Sequence, residues 1–164
     1  MSAEPDRAVA LSLQLVQVHQ VLRERLAVLH DEIAGGAVPG VAGADLRSHC
    51  LSLCTAIHTH HAGEDGQLLP ALRAAAPELG PVIDKLIEDH GLVASIVGRI
   101  SELLAAARPA TGPGALAREL DGLAAILESH FSFEERRIAA ALDTLGPPAW
   151  SADVFAPGSA HHEA

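Results

Sequence analysis

The chain has 164 residues, the size of one domain, and 49% of them are apolar. Only 2% are aromatic, with three Phe, one Trp and no Tyr, so the core has to be built from Ala, Leu, Val and Ile. The formal charge of −10 comes from 21 acidic residues against 11 basic ones, and Lys85 is the only lysine. That balance argues against nucleic acid, whose phosphates need Lys and Arg, and against an anionic membrane surface.

In chain order, helical periodicity covers residues 6–34, 44–75, 78–107 and 113–145, and no stretch reads convincingly as a strand. Gly and Pro cluster between these segments, in Gly35 to Gly43, Pro77 to Pro81, Arg108 to Gly114 and Gly146 to Gly158. Pro81 and Pro113 suit first helical turns, whereas Pro70 should kink or end the regular part of the second segment. Short connections between long helices predict an all-α, antiparallel up-down-up-down four-helix bundle over residues 1–146. Residues 147–164 are expected to form an extended or disordered tail.

No apolar run reaches the ~18 residues that span a bilayer, and the segment Met1 to Arg7 is acidic, unlike a secretory signal. A cytoplasmic location is therefore expected. Cys50 and Cys54 are helix neighbours for which a disulfide is awkward. Buried thiols are the plainer reading and a redox pair the other.

Against this plain background stand ten histidines. On helical wheels, four of them fall in apolar stripes. The stripes are Leu15, His19, Leu22 and Leu26; Leu46, Leu53, Ile57, His60, Glu64 and Leu68; Ile83, Leu86, Ile87, His90, Ala94 and Val97; and Leu123, Leu127, His130, Glu134, Ile138 and Ala141. Each helix thus carries one inward His, and two helices add a Glu one turn later. Buried carboxylates are costly unless they are paired or bound to a metal.

The turns supply a second test. In an antiparallel hairpin, residues at equal height are equidistant from the connection. His19 and His60 centre on Pro39-Gly40, His60 and His90 on Ala75, and His90 and His130 on Ala110. All three midpoints lie in or beside expected turns, so the four imidazoles should share one level. Four imidazoles and two carboxylates exceed the needs of a lone structural zinc and match a dinuclear centre with ions ~3.5–4 Å apart. His19 and His60 would serve one ion, His90 and His130 the other, with Glu64 and Glu134 as bridges. Two iron ions with an oxo or hydroxo bridge suit this N/O set, ahead of manganese or zinc.

The pattern His19, His60-x-x-x-Glu64, His90, His130-x-x-x-Glu134 resembles the hemerythrin-like HHE cation-binding domain. The strings His60-His61-Ala62-Gly63-Glu64, Glu88-Asp89-His90 and His130-Phe131-Ser132-Phe133-Glu134-Glu135 are similar to that family's ligand segments over about residues 10–145. The resemblance implies a four-helix bundle with a non-haem di-iron centre that meets O₂ or related small molecules. The family also includes iron and redox sensors and peroxide-decomposing members. Oxygen carriers of the family place a fifth His on the third helix, where this chain has Leu86 and Ala94 around His90. Their fourth-helix carboxylate falls at Glu135, yet Glu134 faces inward better. An open six-residue site disfavours simple O₂ carriage and favours peroxide or oxygen turnover, NO binding or iron-state sensing, with peroxide or oxygen chemistry put first. The alternative is a non-catalytic module that binds or senses O₂, NO or iron.

Other polar residues admit more than one role. His61 is the reserve ligand, and Glu135 could replace or add to Glu134. Asp89 and Glu135 could hydrogen-bond to the site or face water. His58, His61 and Asp65 share a flanking face with the cysteines. His30, His49 and Glu119 share a second level, ~16 Å from the first, read as a solvated polar plug or else a second cation site. The expected partners are O₂, peroxide or NO and an electron donor of unidentified nature. An organic substrate and the oligomeric state are not legible.

Overall fold

The computed structural model describes residues 10–35, 44–106 and 113–145. The expected tail at 147–164, with His161 and His162, lies outside the described residues. Every regular element among those described is helical. Helix α1 spans Leu11–Ala34 and α2 spans Ala44–Gly63. A π-helical turn, Glu64–Leu68, carries α2 into α3, Leu69–Ala75. A short 3₁₀ turn, Pro77–Leu79, leads to α4, Gly80–Ala105, and α5 covers Pro113–Thr144. Pro81 and Pro113 sit in first turns, as their missing N–H groups predict.

Side-chain pairings fix the direction of each helix. Between α1 and α5, Ser12 meets Asp143, His19 meets Glu135, Arg23 meets Glu128 and His30 meets Asp121. One number rises as the other falls, so the helices are antiparallel. The same holds for α1 with α2 (His19–His60, Arg25–Ser52) and α4 with α5 (His90–His130, Arg99–Glu119). The second rod and α4 follow suit, through Asp65–His90 and Arg73–Asp84. With α1 against α2 and α5, and α4 against α2, α3 and α5, the rods form an up-down-up-down four-helix bundle.

The second rod is broken, but not where Pro70 alone would predict. The rod stays helical through Pro70, and the irregularity precedes it. The Leu69 N–H reaches the Glu64 carbonyl, five residues back, and Gly63 and Leu69 keep right-handed helical angles. Pro70 has no N–H for the carbonyl of Gly66, and its ring crowds that group, so the turn before it widens. A widened turn absorbs one extra residue. On an unbroken helix Leu69 and Leu72 would lie ~180° and ~120° round from His60. Instead both are buried, along with Leu68.

The core is two apolar clusters. Leu22, Leu26, Leu53, Ile57, Val93, Ile100, Leu120, Leu127 and Phe131 belong to one. Leu15, Leu68, Leu72, Ile83, Leu86, Ile138 and Leu142 belong to the other. Each such side chain contributes ~1.5–3 kcal/mol by leaving water. Each rod passes from one cluster to the other, and each carries its polar inward residues at the crossing. In α4 the expected stripe is rotated. Ile87 and Ala94 are exposed and Val97 is only half-buried, whereas Val82, Val93, Ile96 and Ile100 are buried. The rotation also turns Asp89 inward.

Candidate metal centre

Between the two apolar clusters lies a polar layer. It contains His19 from α1, His60 and His61 from α2, Glu64 from the π turn, His90 from α4, and His130 and Glu134 from α5, all buried. The six residues read from the sequence are brought together. His61, read as a flanking reserve, joins them.

The close approaches define two groups. His19 Nε2 lies 3.1 Å from His60 Nε2 and 3.3 Å from Glu134 Oε2. His90 Nε2 lies 3.2 Å from His130 Nε2. Glu64 joins them, with Oε1 at 2.9 Å from His60 Nε2 and Oε2 at 3.1 Å from His90 Nε2. Glu134 Oε2 is 3.6 Å from His130 Nε2. Two sets of ligand atoms could each hold a metal ion, with all atoms of a set within 4.8 Å of one another. One set is His19, His60, Glu64 and Glu134; the other is His61, Glu64, His90 and His130. Glu64 is common to both. His61 lies against His90, ring centroids 4.0 Å apart, and edge-on to His130 at 5.2 Å.

The donor set fits a cation better than it fits itself. Both oxygens of Glu64, both of Glu134 and His61 Nε2 are buried and make no well-aligned hydrogen bond, although imidazole nitrogens lie 2.9 to 3.6 Å from three of those oxygens. An unpaired buried carboxylate is expensive unless a positive charge meets it. Meanwhile three imidazoles are held from behind. His19 Nδ1 lies 3.0 Å from Glu135, His90 Nδ1 2.7 Å from Asp65, and His130 Nδ1 3.2 Å from Asp89. A carboxylate accepting from Nδ1–H leaves the Nε2 lone pair facing inward, the tautomer that binds metal.

The electrostatics follow from the same contacts. Burial opposes ionisation of Glu64, but His60, His90 and His61 hold its carboxyl well below the usual range. Burial pushes His19 down, and Glu134 and Glu135 more than offset it, so its pKa is raised. Burial likewise opposes protonation of His90, and Glu64 and Asp65 outweigh it. Burial lowers His130. His61 is pushed down to about 2 by burial, with His90 adding to the effect, so it stands as a neutral lone-pair donor at neutral pH.

The remaining candidates separate. His30 is half-exposed and pairs with Asp121 at 2.6 Å, and exposed His49 approaches Glu32 at 3.5 Å. Glu119 accepts from Arg99 at 3.0 Å. The second level is therefore a set of separate surface pairs, and the two sets above are the clusters with metal-ligand geometry among the described residues. His58 is exposed. Cys50 and Cys54 are free, buried thiols in the larger apolar cluster. Glu135 stays behind His19 as its Nδ1 partner, and Glu134 takes the inward position.

The sequence pattern underrated His61 and left Asp65 and Asp89 without a definite role. On a wheel His61 stands ~100° from His60, but a bundle interior at one level admits two adjacent residues of the same helix. The doubled His60-His61 was the available signal.

A groove of about 370 Å³ runs between α1 and α5, lined by Leu22, Arg23, Leu26, Leu127, Glu128 and Phe131 among others. Phe131 separates it from the polar layer, its ring stacked on His19 at 3.9 Å. No helix among the described residues is long and apolar enough to cross a membrane.

Among protein-family models, the hemerythrin HHE cation binding domain matches residues 12–142. No curated protein and no solved structure matches the chain.

Proposed function

Because the chain belongs to the hemerythrin HHE cation binding domain family, we propose that its polar layer holds two iron ions and turns over peroxide or O₂. The observation that carries this reading is the pair of ligand sets sharing Glu64. His19, His60 and Glu134 would hold one ion; His61, His90 and His130 would hold the other; Glu64 would bridge them. Glu134, whose Oε2 lies 3.3 Å from His19 and 3.6 Å from His130, would serve as a second bridge. Imidazole and carboxylate donors suit iron, with zinc and manganese as the competing ions. A carboxylate-bridged iron pair, when bound, supplies redox chemistry toward O₂ and hydrogen peroxide.

The protein's own residues supply shielding and order. The two apolar clusters flank the layer along the bundle and would keep bulk water from it. Glu135, Asp65 and Asp89 hold three imidazoles in the binding tautomer. No step of the reading needs an organic substrate.

The test is iron quantification with a peroxide-decay assay on protein reconstituted with Fe(II). The reading requires about two irons per chain and rapid peroxide loss that His60→Ala and Glu64→Ala abolish. Two irons without turnover of peroxide or O₂ would leave a binding or sensing module. Failure to retain iron would sink both.

A further inference from the structure

Two of the imidazoles are braced by the same three-part device, built on opposite sides of the bundle. On one side Arg23 Nη1 donates to Glu135 Oε1 at 3.0 Å, and that oxygen lies 3.0 Å from His19 Nδ1. On the other, Lys85 donates to Asp89 Oδ1, and Asp89 Oδ2 lies 3.2 Å from His130 Nδ1. Each cation also sits over a phenylalanine of α5. Arg23 Cζ is 5.3 Å from the Phe131 centroid, and Lys85 Nζ is 5.9 Å from that of Phe133. Cations at that distance from a ring are attracted to its face. The one lysine of the chain is thus spent here. His19 and His130 belong to different ligand sets, so each half of the layer has one cation-braced imidazole.

We propose that Arg23 and Lys85 are positioning residues of the metal centre, each acting through a carboxylate on one imidazole. This rests on the reading that the polar layer holds metal. A carboxylate alone can swing about its side-chain torsions. Pinned by a cation seated on a ring, it presents one oxygen to Nδ1–H and fixes both the tautomer and the plane of the imidazole. A carboxylate that accepts from a ligand imidazole carries ~10–100-fold of metal affinity, and the cation that pins the carboxylate carries part of that. His90 serves as the internal contrast. Its Asp65 partner is 40% exposed and, among the described residues, makes no ion pair with Arg or Lys, while nearby Arg73 pairs with Asp84 instead.

The sign of the effect separates positioning from bare charge. Removing a positive charge near a cation site should tighten metal binding if only Coulomb repulsion matters. Positioning predicts the opposite. The experiment is anaerobic Co(II) titration of metal-free protein, following the ligand-field absorption. The set comprises wild type, Arg23→Met, Lys85→Met, Lys85→Arg and Arg73→Met, with thermal unfolding of each metal-free protein alongside. Expected are up to ~10-fold weaker binding of one Co(II) and an altered absorption band in Arg23→Met and in Lys85→Met. Lys85→Arg should restore the wild-type values, Arg73→Met should keep them, and the metal-free unfolding midpoints should stay close to wild type. Unchanged or tighter binding in both Met variants overturns the proposal, as does an equal loss in Arg73→Met. If wild type itself binds no Co(II), the metal reading beneath it falls first.

Discussion

The His61 ring stacks on His90, planes 14° from parallel, and its Nε2 is buried without a hydrogen-bond partner. A nitrogen left unpaired in the interior costs ~1–3 kcal/mol. Its retention is explained if it binds a cation. His61→Leu should therefore have opposite effects in the two states. Metal-free protein should keep its stability or gain ~1 kcal/mol in urea unfolding. The second metal ion should bind at least ~10-fold more weakly, ~1.4 kcal/mol. Loss of stability in the metal-free variant with unchanged metal binding would make His61 a packing residue.

The same residue sets a pH dependence. In the unfolded chain His61 takes up its proton near 6.5, whereas in the fold burial, with His90 adding, holds the pKa at about 2. Between those values the unfolded state binds more protons, so stability falls as pH falls, by up to ~1.4 kcal/mol per unit. His19 and His90, raised in the fold, act in the other direction: their contribution is present below 6.5 and lost as pH rises through their folded values. Glu64, held low, keeps its contribution until pH falls through its folded value. Comparing metal-free wild type with His61→Leu isolates the first effect. Wild type should lose more stability between pH 6 and 4 than the variant does, as read by urea unfolding at each pH.

Phe131 is fully buried, stacked on His19, and forms the wall between the α1–α5 groove and the polar layer. Phe131→Ala should cost ~3–5 kcal/mol, because it leaves a cavity as well as losing transfer energy. It should also open the layer to water and larger solutes. Iron retained by the variant should be removed by a soluble chelator several times faster than from wild type, at a temperature where both are folded.

Cys50 and Cys54 should behave as inert core thiols. Both are free and buried; their mutual contact drives the Cys50 thiol upward and the Cys54 thiol downward, so burial is what shields the pair. An aromatic disulfide reagent should label neither at neutral pH until urea unfolds the protein, and labelling should then track the unfolding curve. Fast labelling of folded protein would point to a thiol pair in use.

Much of the site was legible because chain numbering carries height. Helices rise by a fixed amount per residue, so histidines equidistant from successive turns must meet at one level. Periodicity likewise placed the inward stripes of α1 and α5, where Leu15, His19, Leu22, His130, Glu134 and Ile138 are all buried. The α4 stripe was harder. Its small and apolar residues occur on more than one face, so Ile87 and Val97 look as inward as Val93 and Ile96 on a wheel.

The sequence by itself determined the helical bundle, the level of the polar layer and six of the buried residues that meet there, since rise and period are local properties of a helix. How far each helix turns about its own axis is not local. It depends on packing against its neighbours, and the tertiary structure decided it. That rotation buries Asp89 behind His130 and brings Asp65 to His90. It turns His61 into the layer, while the widened turn before Pro70 keeps Glu64 and Leu72 on one inner face. Arg23 and Lys85 come to stand behind the imidazoles for the same reason. Their partners lie on other helices or depend on α4's rotation, and spacing along one chain segment does not report it.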